Sequence, residues 1–450
     1  MKVKRLELKG FRGFDEIVLD FDTSSQRPTV FIGNNGVGKS SILDALAILL
    51  SWFINRIYYD PDSDQLIRNI RTQVNLSEKK LSEGFNFEDN DIKNSSNQVS
   101  GLIFIDYKSQ ETTWKLTGSR FHIPSSQLVP LGIIEKELDC LNILTTNLRS
   151  QIRKNLEPSL PIILHCSVNR TVNKVDLEIQ DVFFPQILDI YENSLDKLNV
   201  DFKNFFAWFR NTEDLENEYK VDNSDYQDKQ LKAVREAIHK LIPEFDNLRV
   251  RRNPLQMKVN KTIGKKVEDL NINQLSDGEK CLLPMVGDIA RRLAIANPSL
   301  DDPLQGEGIV LIDEIELHLH PQWQHKIIPR LTETFPNCQF IVTTHSPQVL
   351  SHVQPENIYI LQSTPNGIIA SHPESSYGRD SNQILENTMD SPSRNEKTTK
   401  DILELFRLID RNDFVGAKKL RQKIGSEIGF DEPELLRAGV VIKRKEILGK

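Results

Sequence analysis

Two short stretches of this chain place residues at spacings suited to holding a nucleoside triphosphate. GNNGVGKSS, residues 33 to 41, lies between an apolar strand-like run, TVFI, and an apolar helix-like run, SSILDALAILLSWF. The segment Gly33, Asn34, Asn35, Gly36, Val37, Gly38 reads as a turn. Its glycines let the backbone wrap a phosphate, with successive N–H groups aimed inward at the positive end of a helix dipole. Lys39 can then reach the β- and γ-phosphates, Ser40 can ligate Mg²⁺, and Ser41 closes the loop. In IVLIDEIELHLHP, residues 309 to 321, apolar β-formers carry Asp313 to the end of a buried strand, where its carboxylate can hold Mg²⁺ through water beside Ser40. Glu314 follows directly and is placed to orient or deprotonate an attacking water. The cofactors expected are ATP and Mg²⁺.

Two further stretches complete the set. LSDGEK, residues 275 to 280, precedes a helix-like run, and Ser276, Asp277, Gly278 and Glu279 sit where free helix N–H groups make a second anion site. The same residues spell a capping box, Ser276 with Glu279 three positions later, and the two readings are compatible because both use the same N–H groups. FIVTTHSPQVL puts His345 at a strand end, where a lone histidine is more often structural; the resemblance of the motif order to ABC-type ATPases implies that it contacts the γ-phosphate.

These motifs require a framework of strands that end at one edge. Residues 1 to 52 hold short strands and then a helix, the start of an α/β sheet, and strand-like GIVLID and QFIVTTH return after residue 271. Between them, residues 53 to 270 read as an inserted lobe, mostly helical or mixed. Residues 271 to 365 complete the nucleotide domain, and 366 to 450 read as a linker and a helical tail. In the tail, Phe414, Ala417, Leu420 and Ile424 follow helical spacing and suggest a face for docking a protein partner.

Composition bounds the rest. No run of about 18 apolar residues or signal-peptide core is present, so the expectation is a cytoplasmic protein without a membrane partner. Cys140, Cys166, Cys281 and Cys338 are far apart, which argues against disulfides and a zinc site. A net charge of −7 leaves nucleic-acid binding to local patches. One patch contains Arg249, Arg251, Arg252, Lys258, Lys261, Lys265 and Lys266; another contains Lys418, Lys419, Arg421, Lys443, Arg444 and Lys445. Arg170 has the character of an arginine that reaches phosphate across an interface, and equally of an ordinary surface residue.

LSDGEK resembles the LSGGQ signature of ABC-type ATPases, so the fold expected is an α/β P-loop NTPase of the ABC-ATPase type, split by the lobe and ending in the helical tail. In such enzymes the signature meets the nucleotide held by another copy, which implies a homodimer or higher homo-oligomer. LELKGFRGF, GNNGVGKS, LSDGEK, LIDEIELHLHP and TTHSP together resemble the RecF, SMC-like and OLD-type ABC ATPases. LHCSVNR, FFAWFRNTEDLENE, ARRLAIANP and the last 40 or so residues are similar to the PtuA-type ATPases of Septu and retron antiphage systems. That resemblance implies an ATP hydrolase that restrains a separately encoded HNH nuclease of the PtuB type. In the retron version it also implies contact with a reverse transcriptase and its single-stranded DNA and RNA. The chain shows no nuclease motif of its own, and its insertion lacks the heptads of a long SMC arm. A RecF-like DNA-repair ATPase is the alternative.

Overall fold

Strand β1 (Lys2–Phe11) buries Val3, Leu6 and Leu8 and pairs antiparallel with β2 (Phe14–Asp20) through the turn that carries Arg12. Its other edge takes β4 (Gln98–Tyr107), which pairs in turn with β5 (Gln110–Ser119), and β6 (Gly132–Glu137) closes a five-stranded sheet. Along β4 and β5, Val99, Ile103, Ile105, Trp114 and Leu116 alternate with half-buried neighbours, the period-2 pattern of a sheet with one face on the core. Lys108 and Ser109 both take positive φ, +51° and +63°, as the two central residues of a tight hairpin turn require. The computed structural model describes residues 1–23, 27–58, 84–120, 132–154, 159–168, 186–196, 202–365, 367–389, 392 and 394–448. Arg170 lies outside these.

The central sheet has the order β14-β13-β3-β12-β11-β7. Its members are β3 (Thr29–Gly33), β7 (Ile162–Cys166), β11 (Gly308–Ile312), β12 (Cys338–Thr343), β13 (Ile358–Thr364) and β14 (Gly367–Ser371). All pairs are parallel except β13 with β14. Every residue of β7, β11 and β12 is buried, the continuous apolar run of strands covered on both faces. Helix α1 (Lys39–Tyr58) is long and apolar enough to cross a membrane by length and composition, but most of it is buried in the protein core, and the Trp114 indole donates to its Leu49 carbonyl at 2.9 Å.

The stretch expected as a mostly helical or mixed lobe, 53 to 270, combines helices with strands. Among its described residues, helices α2 (Asp139–Arg153), α3 (Phe202–Asp222) and α4 (Lys229–Leu241) stand beside β4, β5 and β6 of the first sheet and β7 of the central one. A third, antiparallel sheet adds β8 (Phe245–Arg252), β9 (Leu255–Ile263) and β10 (Lys266–Asn271). The physical cause is legible afterwards: burial along VSGLIFIDY and TTWKLTG alternates with period 2, and PIILHC is a buried parallel strand whose Ile162 pairs with Gly308, 146 residues further on.

Helix α5 (Asp277–Ala296) is buried on nearly all sides from Cys281 onward, and carries a charged group inside. The Asp288 carboxylate accepts from Arg291 Nη2 at 2.6 Å and Arg292 Nε at 2.8 Å, and Arg292 also donates to the carbonyls of Ile190 and Glu192. Burial pushes the Asp288 pKa up, and the two guanidinium groups more than offset it, so the carboxyl sits below its ordinary value.

Residues Met1–Arg379 form one compact unit and Asp380–Lys450 a second. The second holds α8 (Ser381–Asn387), α9 (Glu396–Asp410), α10 (Phe414–Ile428) and α11 (Pro433–Leu448); the remaining short helix, α7 (Pro347–Leu350), belongs to the first, as does α6 (Pro321–Thr334). Its core contains Ile402, Leu405, Ile409, Ala417, Ile424, Leu435, Ala438 and Ile442, with Phe414 and Leu420 packed against it. The stripe read as a partner-docking face is therefore the inward face of α10. Helical spacing alone does not say whether an apolar stripe meets its own unit or another protein.

Replacing Asp288 with Ala leaves two buried guanidinium groups without their carboxylate, a change that costs about 3–5 kcal/mol. Chemical denaturation of the full chain should show this loss, with a smaller one for Asp288→Asn. Because the folded pKa is depressed, the Asp288 contribution is complete at neutral pH and disappears only as pH falls below the ordinary carboxylate value of 3.8.

Candidate nucleotide site

The loop from β3 to α1 owes its shape to its glycines. Gly36 and Gly38 have φ of +80° and +97°, a region that L side chains rarely adopt. A Cβ on Gly38 would strike the Phe14 ring at 2.6 Å, so the loop lies against β2 there. A Cβ on Gly36 would meet nothing within 4 Å, so that side of the loop is open, as a phosphate cradle must be. Lys39 is buried and lies back across the loop, donating to the carbonyls of Gly33 at 2.9 Å and Asn34 at 3.1 Å. Burial holds its pKa below the ordinary lysine value, with Asp313, Glu314 and Glu316 opposing that shift.

Asp313 stands at the C-terminal end of β11, one strand beyond β12 from the loop. Its Oδ1 accepts from Ser40 Oγ at 3.0 Å and from Thr343 Oγ1 at 2.5 Å. Thr343 Oγ1 in turn accepts the Glu314 N–H at 2.8 Å. The corner is held from both sides, because the Asp313 N–H donates to the Cys166 carbonyl and the Ile315 N–H to the Thr343 carbonyl, each at 3.0 Å. Glu314 has φ of +46°, a strained value for a side-chain-bearing residue, and the surrounding hydrogen bonds hold it there. One carboxylate and a hydroxyl beside an open phosphate loop suit Mg²⁺, which takes few protein oxygens and completes its shell with phosphate and water. Among the described residues, no three His, Cys, Asp or Glu side chains cluster as a separate metal site.

Glu316, which the sequence reading passed over, binds the loop of His345 to this corner. Its Oε1 accepts the His345 N–H at 2.5 Å and its Oε2 accepts the Thr344 hydroxyl at 2.7 Å. Thr343 was missed as well. The signal for both was position: Glu316 is two residues past Glu314, and the two threonines stand directly before His345.

The LSDGEK stretch is placed elsewhere. Ser276 caps α5, its backbone N–H donates to Glu279 Oε2 at 2.9 Å, and its hydroxyl donates to the same oxygen at 2.8 Å. A Cβ on Gly278 would meet the His318 carbonyl at 2.7 Å, so only glycine lets α5 start this close to the turn after Asp313 and Glu314. Among the described residues, no hydrogen bond or ion pair joins residues 276–279 to residues 33–41. Four of the seven cations in the basic patch before it have carboxylate partners: Arg249 and Lys258 share Asp269, Arg252 meets Glu213 and Asp214, and Lys261 meets Glu279. Those carboxylates would compete with a nucleic-acid phosphate for the same cations.

A phosphate loop on a parallel sheet, an Asp-Glu corner beside it, a strand-end histidine and a signature on a separate helix start define an ABC-type P-loop ATPase. The chain belongs to the RecF/RecN/SMC N terminal domain family, which matches residues 2–370. It is 30% identical to the retron Ec83 probable ATPase of Escherichia coli over 99% of this chain and 87% of that one. The retron Vc95 probable ATPase of Vibrio cholerae serotype O1 biovar El Tor is also 30% identical, over 80% of this chain and 73% of its own length. The Septu protein PtuA of Bacillus mycoides (strain KBAB4) is 24% identical over 95% of this chain, which spans about half of that protein, 53%. The chain is thus an ATPase of the PtuA and retron type within the RecF and SMC family.

Thr343→Val removes the donor to Asp313 and strands the Glu314 N–H. Turnover should fall about tenfold or more, the equivalent of one lost hydrogen bond, while Thr343→Ser keeps most of it. Steady-state ATPase assays beside an ATP-binding titration check this, since ATP affinity should change little.

Proposed function

We propose that two copies of this chain close on two ATP–Mg²⁺, each bound to Gly33–Ser41 of one copy and faced by Ser276–Glu279 of the other. In this reading Lys39 neutralises the β- and γ-phosphates, Ser40 and Asp313 hold Mg²⁺, and Glu314 activates the attacking water. His345 steadies charge on the γ-phosphate, in a loop held by Glu316. Bound Mg²⁺ would offset charge on the transferred phosphoryl group. The observation that carries the reading is the separation of the two half-sites: among the described residues no hydrogen bond or ion pair joins Ser276–Glu279 to the loop, while the loop and the Asp-Glu corner are bonded together. Its relatives support a role in antiphage defence, and we assign the nucleotide state the control of a separately encoded HNH nuclease of the PtuB type. In a retron-linked system, a reverse transcriptase and its single-stranded DNA would join the same complex.

The chemistry is tested by substitution. Glu314→Gln should still bind ATP and accumulate a closed dimer, whereas Lys39→Ala should lose ATP binding; wild-type turnover by Glu314→Gln would overturn the assignment.

The shared site is tested by mixing. Ser276→Arg and Lys39→Ala proteins are each expected to be inactive, and a heterodimer of the two retains one intact composite site. Mixing should restore part of the ATPase rate. No recovery, with heterodimers demonstrated by mass, would mean that the signature acts within its own chain or that the two sites fire only together.

A further inference from the structure

The signature of this chain carries two acids, Asp277 and Glu279, at a place meant to receive a polyphosphate. Their surroundings differ. The Asp277 side chain is 76% exposed, so water screens it. The Glu279 side chain is 12% exposed and lies within the capping box, one oxygen occupied by the backbone and hydroxyl of Ser276. Its other oxygen meets Lys261 Nζ at 2.7 Å. Burial pushes the Glu279 pKa up, and Lys261 with Ser276 more than reverses that, so the group stays ionised at neutral pH. Lys261 comes from the middle strand of the small antiparallel sheet, β9, where it stands between Phe245 of β8 and Glu268 of β10. It is one of the residues counted in the basic patch, and its partner gives it a different task.

We propose that Lys261 is a positioning residue for the phosphate site offered to the other copy: it holds and cancels the Glu279 carboxylate, which would otherwise oppose the incoming nucleotide. The inference rests on the two-copy reading above. The hydroxyl of Ser276 has one proton, and in the free chain that proton goes to Glu279. To donate to a phosphate the hydroxyl must turn away, and Glu279 is left with the Ser276 N–H and Lys261. With Lys261 present the carboxylate remains paired at that moment. Without it, a poorly solvated negative charge stands within one helical turn of the approaching phosphate, where like-charge repulsion is weakly screened. A purely mechanical role, tying β9 to the start of α5, would predict the same ion pair, so the test must separate charge from tether.

A double-mutant cycle does so. Lys261→Met and Glu279→Gln are made singly and together; glutamine preserves the capping box, because its amide oxygen still accepts the Ser276 N–H. Turnover and ATP affinity are measured for all four proteins, and ATP-driven dimerisation by sedimentation in the Glu314→Gln background. Lys261→Met should lower turnover about tenfold or more and weaken the ATP-driven dimer, with ATP affinity of the separate chain within about twofold, since the primary loop is untouched. Adding Glu279→Gln to the Lys261→Met protein should restore most of the turnover that Lys261→Met loses, because no charge is left to cancel. A double mutant no better than Lys261→Met would overturn the charge role in favour of a tether, which either substitution breaks, and no loss from Lys261→Met would overturn any role for Lys261. If Glu314→Gln forms no ATP-dependent dimer at all, the two-copy reading itself falls, and the inference with it, irrespective of Lys261.

Discussion

A single oxygen, Asp313 Oδ1, accepts hydroxyls from Ser40 and Thr343 and so joins three segments far apart in sequence. Ser40 opens α1, Asp313 ends β11, and Thr343 ends β12. The carboxylate thus binds the phosphate loop to the acid corner across the strand between them. This arrangement is possible only because β3, β12 and β11 run parallel and finish at the same edge. Parallel strands place their C-terminal ends together, and ligand sites in such sheets lie outside those ends. Thr343 also takes the Glu314 N–H, which keeps a strained backbone from relaxing.

The remainder of the first unit supports that edge through buried polar contacts as well as apolar packing. Arg12, in the β1–β2 turn, donates to Asp44 of α1 at 2.5 Å and to Asp91 at 2.9 Å, and so fixes the helix that begins with Lys39 against the first sheet. Asp288 holds two arginines inside α5, the helix whose start carries the signature, and Arg292 ties that helix to the carbonyls of Ile190 and Glu192. In both places charge is buried with its partners in register, and loss of one partner would leave an unpaired ion in low dielectric. The Glu279–Lys261 pair continues the theme at the edge of the structure, where one member of the pair stands beside the place a phosphate would occupy.

Local chemistry made the shapes of the glycine loop and the acid corner legible. GNNGVGKSS requires a particular backbone and lies between a strand and a helix, and IVLIDE ends a buried strand in two acids; each pattern is contained within a dozen residues. Thr343, Glu316 and Lys261 were not legible in the same way. Position beside Glu314 and His345 was the one hint for Glu316 and Thr343, Lys261 read as one cation of a basic patch, and in each case the partner that gives the residue its task is not named by the local pattern. The same limit left the lobe's strands unplaced, since PIILHC gives no sign that its neighbour in the sheet is β11. It explains the tail too, where an apolar stripe at helical spacing turned out to face α9 and α11.

By itself, then, the sequence determined the phosphate loop, the acid corner, the histidine strand end and the capped signature helix, because short-range sterics and hydrogen bonding decide those shapes. Tertiary structure alone decided which strands join the central sheet, which cations remain free, and which side chains meet at Asp313 and Glu279. Those outcomes depend on pairing register and on burial, which no local pattern fixes, and the partners can stand as far apart in the chain as Ser40 and Asp313.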